Sequence, residues 1–402
     1  MTNDLPRPST SGRLLAGLAI AALTVLSPGA GAVAAQGQEP GEPSGLQAAI
    51  DSLGSLDYAV RTEASKAVRR AQPAEVIPLL REAAAAHSDG YVRFRALVLL
   101  TGLNDSRTGE LMREMARDPN DRLREVAYHY FEANPDPSLA PLLLRGLETE
   151  TSEFVRPALV RALAALGSDA AVREKLSTEA YRGEDFFRSG VIAALGRHEA
   201  AYALAPLLEI AGQDGPLQDD AVLALGWIGD ASAVERLAGL QRTGPRQLQP
   251  IVAAALCLIG RNCESHTRFL VETMQFTGDE IGFQELLRSA ATGLGALAES
   301  GRADAFHALI AAGKGSQDPV RAPIALAIGT VALRQPDLLL TELPRSTDPE
   351  EAVRLLQEAF DMLAEDYAEE QFYAFVRRSF WASPEDSPVR GVVERLITVL
   401  DF

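Results

Sequence analysis

The stretch Asp57-Tyr58-Ala59-Val60-Arg61-Thr62-Glu63-Ala64-Ser65-Lys66-Ala67-Val68 sets an acid three positions before a Val-Arg pair. Apolar residues then follow four, seven and eight positions after the valine. These offsets fall on one face of a helix with 3.6 residues per turn, and the leading carboxylate can accept from the free N–H groups of the first turn. The phrase recurs as Val92-Arg93, Leu123-Arg124, Val155-Arg156, Phe187-Arg188, Leu217-Gln218, Leu248-Gln249, Leu287-Arg288, Val320-Arg321, Val353-Arg354 and Val389-Arg390. The period is about 32 residues, in the range of helical repeat arrays. The fourth position after the anchor is apolar in ten of the eleven copies, Gln357 being the exception, and the seventh is apolar in all of them.

A second amphipathic segment lies between successive anchors. Glu75-Val76-Ile77-Pro78-Leu79-Leu80, Leu139-Ala140-Pro141-Leu142-Leu143-Leu144 and Leu204-Ala205-Pro206-Leu207-Leu208 are variants of one phrase. A proline fits the first turn of a helix, where its missing N–H has no partner to lose. Each period therefore reads helix, turn, helix, turn. One such pair cannot cover its own apolar face, but a stack of pairs can.

Together with the trailing Ala165-Leu166-Gly167, Ala194-Leu195-Gly196 and Ala224-Leu225-Gly226-Trp227-Ile228-Gly229-Asp230, this pattern resembles HEAT repeats of the short bacterial type shared with phycobilin lyases. The resemblance covers residues 45–402. It implies an all-α fold, an α-solenoid (ARM/HEAT-type superhelix) of ten to eleven helix-turn-helix repeats. It also implies that the second helix of each pair lines the concave face, and that the Val-Arg arginines bridge to the acidic turn of a neighbouring repeat. Gln218 and Gln249 drop that charge and point to a local change of curvature. Such folds include scaffolds, adaptors and a few enzymes, so the architecture does not fix a chemistry.

On the face of the second helices, the strip two and six positions past the anchors holds Phe94, Glu125, His129 and Arg161 in the early repeats. In the middle repeats it holds mostly Ser, Ala, Pro, Leu and Gly, in helices that are apolar nearly all round. This strip is either a groove for a partner or a seam of tight inter-repeat packing. The pattern loosens at Met274–Phe283, read as an inserted turn or loop. It loosens again at Asp361–Ser383, where Tyr367, Phe372, Tyr373, Phe375, Phe380 and Trp381 serve as an end cap or a docking patch.

Residues 1–35 read as a secretory signal: Arg7 and Arg13, an uncharged run from Leu14 to Leu26, and small residues Val33-Ala34-Ala35 for cleavage. Residues 36–44 read as a disordered Pro/Gly linker. The expected location is periplasmic or secreted, without stable membrane insertion after cleavage. The net charge of −17 opposes binding to nucleic acid or anionic membranes. Residues 336–402 carry 15 acids against six bases, which reads as a solvated face. Cys257 and Cys263 form either a disulfide, if the helix ends at Gly260, or a buried thiol and a free one.

Catalytic patterns are sparse. The sequence has no Gly-x-Ser-x-Gly elbow, no phosphate-cradling glycine loop and no Cys-His metal spacing. His198-Glu199 resembles the His-Glu pairs of deoxyhypusine hydroxylases, but a single pair cannot ligate two irons. The expectation is a non-catalytic exported scaffold or adaptor, without metal or other cofactor, that binds a protein or peptide partner on its curved surface. A metal- or ligand-dependent enzyme of the HEAT-like fold (hydroxylase- or lyase-like) and a structural spacer are the alternatives.

Overall fold

The computed structural model describes residues 45–279, 282–346, 348–363 and 365–402; the expected signal segment and linker lie outside them. Among the described residues there are twenty-two α-helices and no strand. They form eleven pairs, making an α-solenoid. The first five pairs are α1 (Gly45–Ser52) with α2 (Tyr58–Arg70), α3 (Pro73–Ala86) with α4 (Gly90–Thr101), α5 (Thr108–Met115) with α6 (Asp121–Ala133), α7 (Ala140–Thr149) with α8 (Arg156–Ala164), and α9 (Ala170–Glu179) with α10 (Asp185–Arg197). The next three are α11 (Leu204–Ala211) with α12 (Gln218–Ile228), α13 (Val234–Thr243) with α14 (Gln249–Leu258), and α15 (Cys263–Asp279) with α16 (Gln284–Glu299). The last three are α17 (Ala303–Gly313) with α18 (Arg321–Arg334), α19 (Pro336–Glu342) with α20 (Pro349–Leu363), and α21 (Asp366–Ala382) with α22 (Pro388–Val399). Every Val-Arg anchor sits at or just before the start of the second helix of its pair, or in its first turns.

The second helices pack on one another in succession and form the inner layer; the first helices pack outside them. Glycine makes this inner seam close. A Cβ on Gly196 would lie 2.6 Å from the Ala224 Cα, and one on Gly226 2.6 Å from the Ala255 Cα. A Cβ on Gly295 would meet the Ala327 Cβ at 3.4 Å, and Gly329 opposes Ala359 in the same way. In Ala194-Leu195-Gly196 and Ala224-Leu225-Gly226 the phrase is therefore a packing device, in which glycine lets the next inner helix approach backbone to backbone, whereas Gly167 faces Tyr202 instead. The apolar strip of the middle repeats is this seam and not an open groove.

Local details follow the sequence unevenly. Asp57 caps α2 by accepting from Ala59 and Val60 N–H at 2.8 and 3.4 Å, and Asp89 caps α4 through Tyr91 N–H at 2.7 Å. Arg93 reaches Asp118, Arg124 grips Glu150 with two 2.7 Å bonds, and Arg321 reaches Glu351 at 2.8 Å, so these three bridge to the next repeat. Others hold carbonyls or acids within their own repeat: Arg61 donates to Ser55 O and Arg188 to Ala180 O. Gln218 donates to Ala211 O and Gln249 to Leu240 and Gly244 O, each at 3.1 Å. The glutamines keep this carbonyl contact while giving up the charge.

Three expectations need correction. The long step is no inserted loop up to Asp279, because α15 runs unbroken through Met274 to Asp279. Pro78 lies inside α3, because that helix starts directly at Pro73 without the short 3-10 turn that precedes α7, α11 and α13. The acid-rich C-terminal stretch is more than a solvated face. Its helix α21 packs on α4, nine pairs away, and pairs acids there with early basic residues. Cys257, at the end of α14, and Cys263, at the start of α15, form a disulfide across the Gly260 turn, where the glycine has φ +85°.

Candidate functional site

Two sets of charged residues gather on the inner layer. The first is the seam where the last pair meets the early ones. Glu370 is 1 % exposed there. It accepts from Arg69 of α2 at 2.7 Å and from Arg377 of its own helix at 3.3 Å. Gly102 leaves room for it, since a Cβ there would lie 2.6 Å from a Glu370 oxygen. Arg95 pairs with Asp366, Lys66 with Asp401 at 2.5 Å, and Gln371 Nε2 donates to Thr101 Oγ1 at 2.9 Å. The guanidinium of Arg69 also lies 5.0 Å from the Tyr373 ring centre.

The strip residues Phe94, Glu125, His129 and Arg161 do come together. They line one cavity of about 210 Å³. The expectation that they form an open strip is corrected, however, because the opposite wall is made by the chain's own Leu363, Glu365, Asp366 and Tyr367. Phe94 and His129 are buried beneath it, and Tyr367 stacks on His129 with ring centres 5.5 Å apart. Burial, reinforced by Arg161, holds the His129 imidazole down to about 3 and so keeps it neutral. Burial together with Glu365 and Asp366 pushes Glu125 up to about 7; burial and Asp366 do the same to Glu369. The seam thus crowds carboxylates against Arg95 and Arg161 here, as it sets Glu370 against Arg69 and Arg377.

Of the C-terminal aromatics, Phe372 is buried against Phe360, and Tyr373 stacks on Phe402 at 4.2 Å. These complete the end of the core. Trp381 is 82 % exposed beside a cavity of about 770 Å³ lined by Arg69, Arg377, Phe380 and Phe402.

The second set is a cleft of about 600 Å³ built from the C-terminal ends of the inner helices. Glu132 comes from the last turn of α6, Arg197 and Glu299 end α10 and α16, and Arg334 ends α18. His198 caps α10, while Trp227 and Leu258 stand at the ends of α12 and α14. Helix C-termini carry exposed carbonyls and partial negative charge, so arginine is the favoured residue in these last turns. Arg197 bonds Glu299 at 2.5 Å, joining pairs five and eight. Glu132 accepts from Arg161 Nε at 3.1 Å and lies 3.3 Å from His198 Nε2. Burial opposes its charge, yet the His198 hydrogen bond, Arg161 and Arg334 together hold Glu132 down to about 2. Arg334 stands 4.0 Å from Glu132, beyond hydrogen-bond reach, and donates no hydrogen bond among the described residues.

His198 and Glu199 do not act as a pair. The imidazole turns to Glu132, while Glu199, at φ +49°, is exposed. Among the described residues no group of three His, Cys, Asp or Glu side chains is placed to hold a metal ion. No single helix among them is long and apolar enough to cross a membrane.

The family model for HEAT repeats matches residues 46–132. That region consists of HEAT repeats. The helical pairing seen in these HEAT repeats continues to α22. Among solved structures, the chain is similar to importin beta crystallised in an ammonium sulfate condition, at 15% identity and a TM-score of 0.36. That alignment covers 88% of this chain and 61% of the importin beta chain, so this chain spans less than two thirds of that protein. No curated protein matches the sequence.

Proposed function

We propose that this protein is an exported, non-catalytic HEAT-repeat adaptor that binds a protein or peptide partner through its inner surface. The observation that carries the reading is the cleft at the inner helix ends, where Trp227 and the cation Arg334 are left partly open, while glycine–alanine packing closes the seam of the middle inner helices and the C-terminal segment covers the early ones. A repeat array with one open concave patch suits partner recognition, because aromatic and arginine side chains contribute most per residue at interfaces. The acidic surface disfavours nucleic acid as that partner.

The test is a photo-crosslinking residue at Gln335, on the cleft rim, compared with one at Gly239 on outer helix α13, in native envelope extract. A discrete adduct at Gln335 alone is expected. Equal labelling at both positions, or none at either, refutes the reading. Export is checked by intact mass: the envelope form should begin near Gln36, and a chain retaining Met1 would refute cleavage.

A further inference from the structure

The cleft also narrows the chemistry of what it takes. Its charged lining is Arg197 and Arg334 with Glu132, Glu199 and Glu299, while Arg161 reaches Glu132 from the neighbouring cavity, so the cleft has no excess of positive charge but does have one guanidinium without a hydrogen-bonded acid among the described residues. That guanidinium is Arg334's. Arg197 is committed to Glu299, and Arg161 to Glu132, whose other oxygen faces His198. Arg334 alone keeps its planar fork of N–H donors free, in a protein whose net charge is −17. Next to it the wall turns apolar at Trp227 and Leu258, with Ser300 and Gln335 on the remaining side.

We propose that the cleft binds a monocarboxylate carrying an apolar group, with Arg334 gripping the carboxylate and the Trp227–Leu258 wall covering the apolar part. A guanidinium fork matches a planar carboxylate with two parallel hydrogen bonds. A doubly charged phosphate fits less well, because Glu132, Glu299 and the carbonyl ends of the surrounding helices oppose a second negative charge. The volume of about 600 Å³ suits a small acid or the last residues of a peptide, not a long segment. Free acids and peptide C-termini share this chemistry. The inference rests on the inner surface being the binding face.

The experiment titrates the full mature chain with N-acetyl-leucine, with the tripeptide Ala-Ala-Leu, and with the same tripeptide amidated at its C-terminus. Calorimetry is read together with Trp227 fluorescence in a Trp381→Phe background. The free acids should saturate, and the amide should bind at least tenfold more weakly. The tripeptide binding tenfold tighter than N-acetyl-leucine assigns the site to chain ends; equal affinities assign it to small acids. Arg334→Gln should weaken binding at least tenfold, Arg334→Lys less, and Arg378→Gln, on an exposed turn of α21, not at all. The inference is overturned by no saturable signal from either acid at millimolar concentration, by equal binding of acid and amide, or by full affinity in a folded Arg334→Gln protein. The acid–amide comparison uses unaltered cleft residues, so it stands even if a variant misfolds. A Gln335 crosslink without carboxylate binding would sink this inference and leave the adaptor reading intact; carboxylate binding without a crosslink would do the reverse.

Discussion

Replacing Glu370 with glutamine probes the contact between the two ends of the solenoid. The side chain keeps its shape but loses its charge, leaving Arg69, whose side chain is 8 % exposed, without a counter-ion. Arg377, already carrying one buried nitrogen without a partner, loses the one carboxylate it pairs with among the described residues. Removing one partner of a buried ion pair costs about 3–5 kcal/mol, because the remaining charge stays desolvated. The other seam contacts cannot absorb this. Arg95–Asp366 and Lys66–Asp401 each involve a substantially exposed acid, and such pairs contribute about 0–1 kcal/mol. The Gln371–Thr101 hydrogen bond adds about 0.5–1.5 kcal/mol.

Repeat arrays lose stability locally, so the expected response is undocking of α21 and α22 without global unfolding. Hydrogen exchange by mass spectrometry should show α21 amides, and those of α2 and α4 facing it, exchanging about a hundredfold to a few thousandfold faster, since each 1.4 kcal/mol is a factor of ten. Amides in α12 and α14 should be unchanged. Protection of α21 within threefold of the parent, or an equal loss everywhere, would refute the reasoning. The paired change Arg69→Met with Glu370→Met should recover most of the protection, because buried ion pairs can be exchanged for apolar packing at little cost.

Other expectations can be checked in the same preparations. Gly226→Val should destabilise the protein by about 1–3 kcal/mol through overpacking against Ala255, read as a lowered melting temperature; a neutral result would contradict the inner seam. Glu125 and Glu369 are held protonated to about 7, well above their ordinary value, so the folded state binds more protons than the unfolded one. Seam stability should therefore be greatest at or below about 4.5 with respect to these two groups, and should fall as pH rises through 7. The pair Glu125→Gln and Glu369→Gln should flatten that slope in α21 exchange. Replacing both Cys257 and Cys263 with serine should cost about 2 kcal/mol, the entropy expected for so short a loop, and thiol titration of the unfolded parent should find reactive thiols only after reduction.

The repeat was legible because each copy states its own helix: an anchor, an apolar face and, at Asp57 and Asp89, a cap. What pairs residues hundreds of positions apart was not. Nothing local marks Glu370 as the partner of Arg69, because their meeting depends on the rotation accumulated over all the intervening pairs. The strip containing Phe94, Glu125, His129 and Arg161 was found by a fixed offset, and the structure does bring these residues together, but the chain's own Glu365, Asp366 and Tyr367 wall off the space over them. The cleft residues escaped that offset. Glu132, Arg197, Glu299 and Arg334 lie 9, 10, 12 and 14 positions past their anchors, because their helices differ in length and only the ends coincide in space. The available signal was a charged residue in the last turn of an inner helix, clearest for Glu299 and Arg334, whose helices are mostly apolar.

The seam and the cleft have a common origin in the smallest residues of the chain. Gly196, Gly226, Gly295 and Gly329 draw the inner helices together, while successive outer helices of the middle pairs touch far less, each burying large side chains such as Leu143 and Phe306 in the core. A layer narrow inside and wide outside must turn at each step, and a turn repeated over many pairs carries late helices back toward early ones. The Arg197–Glu299 bond between pairs five and eight, the approach of Arg334 in pair nine to Glu132 in pair three, and the docking of α21 on α4 are successive readings of that same turn. The ion pairs select where the turning stops, since each places a buried or half-buried acid against an arginine at one relative position of the pairs. Glycine therefore sets how strongly the chain coils, and the arginines decide which residues the coil brings face to face.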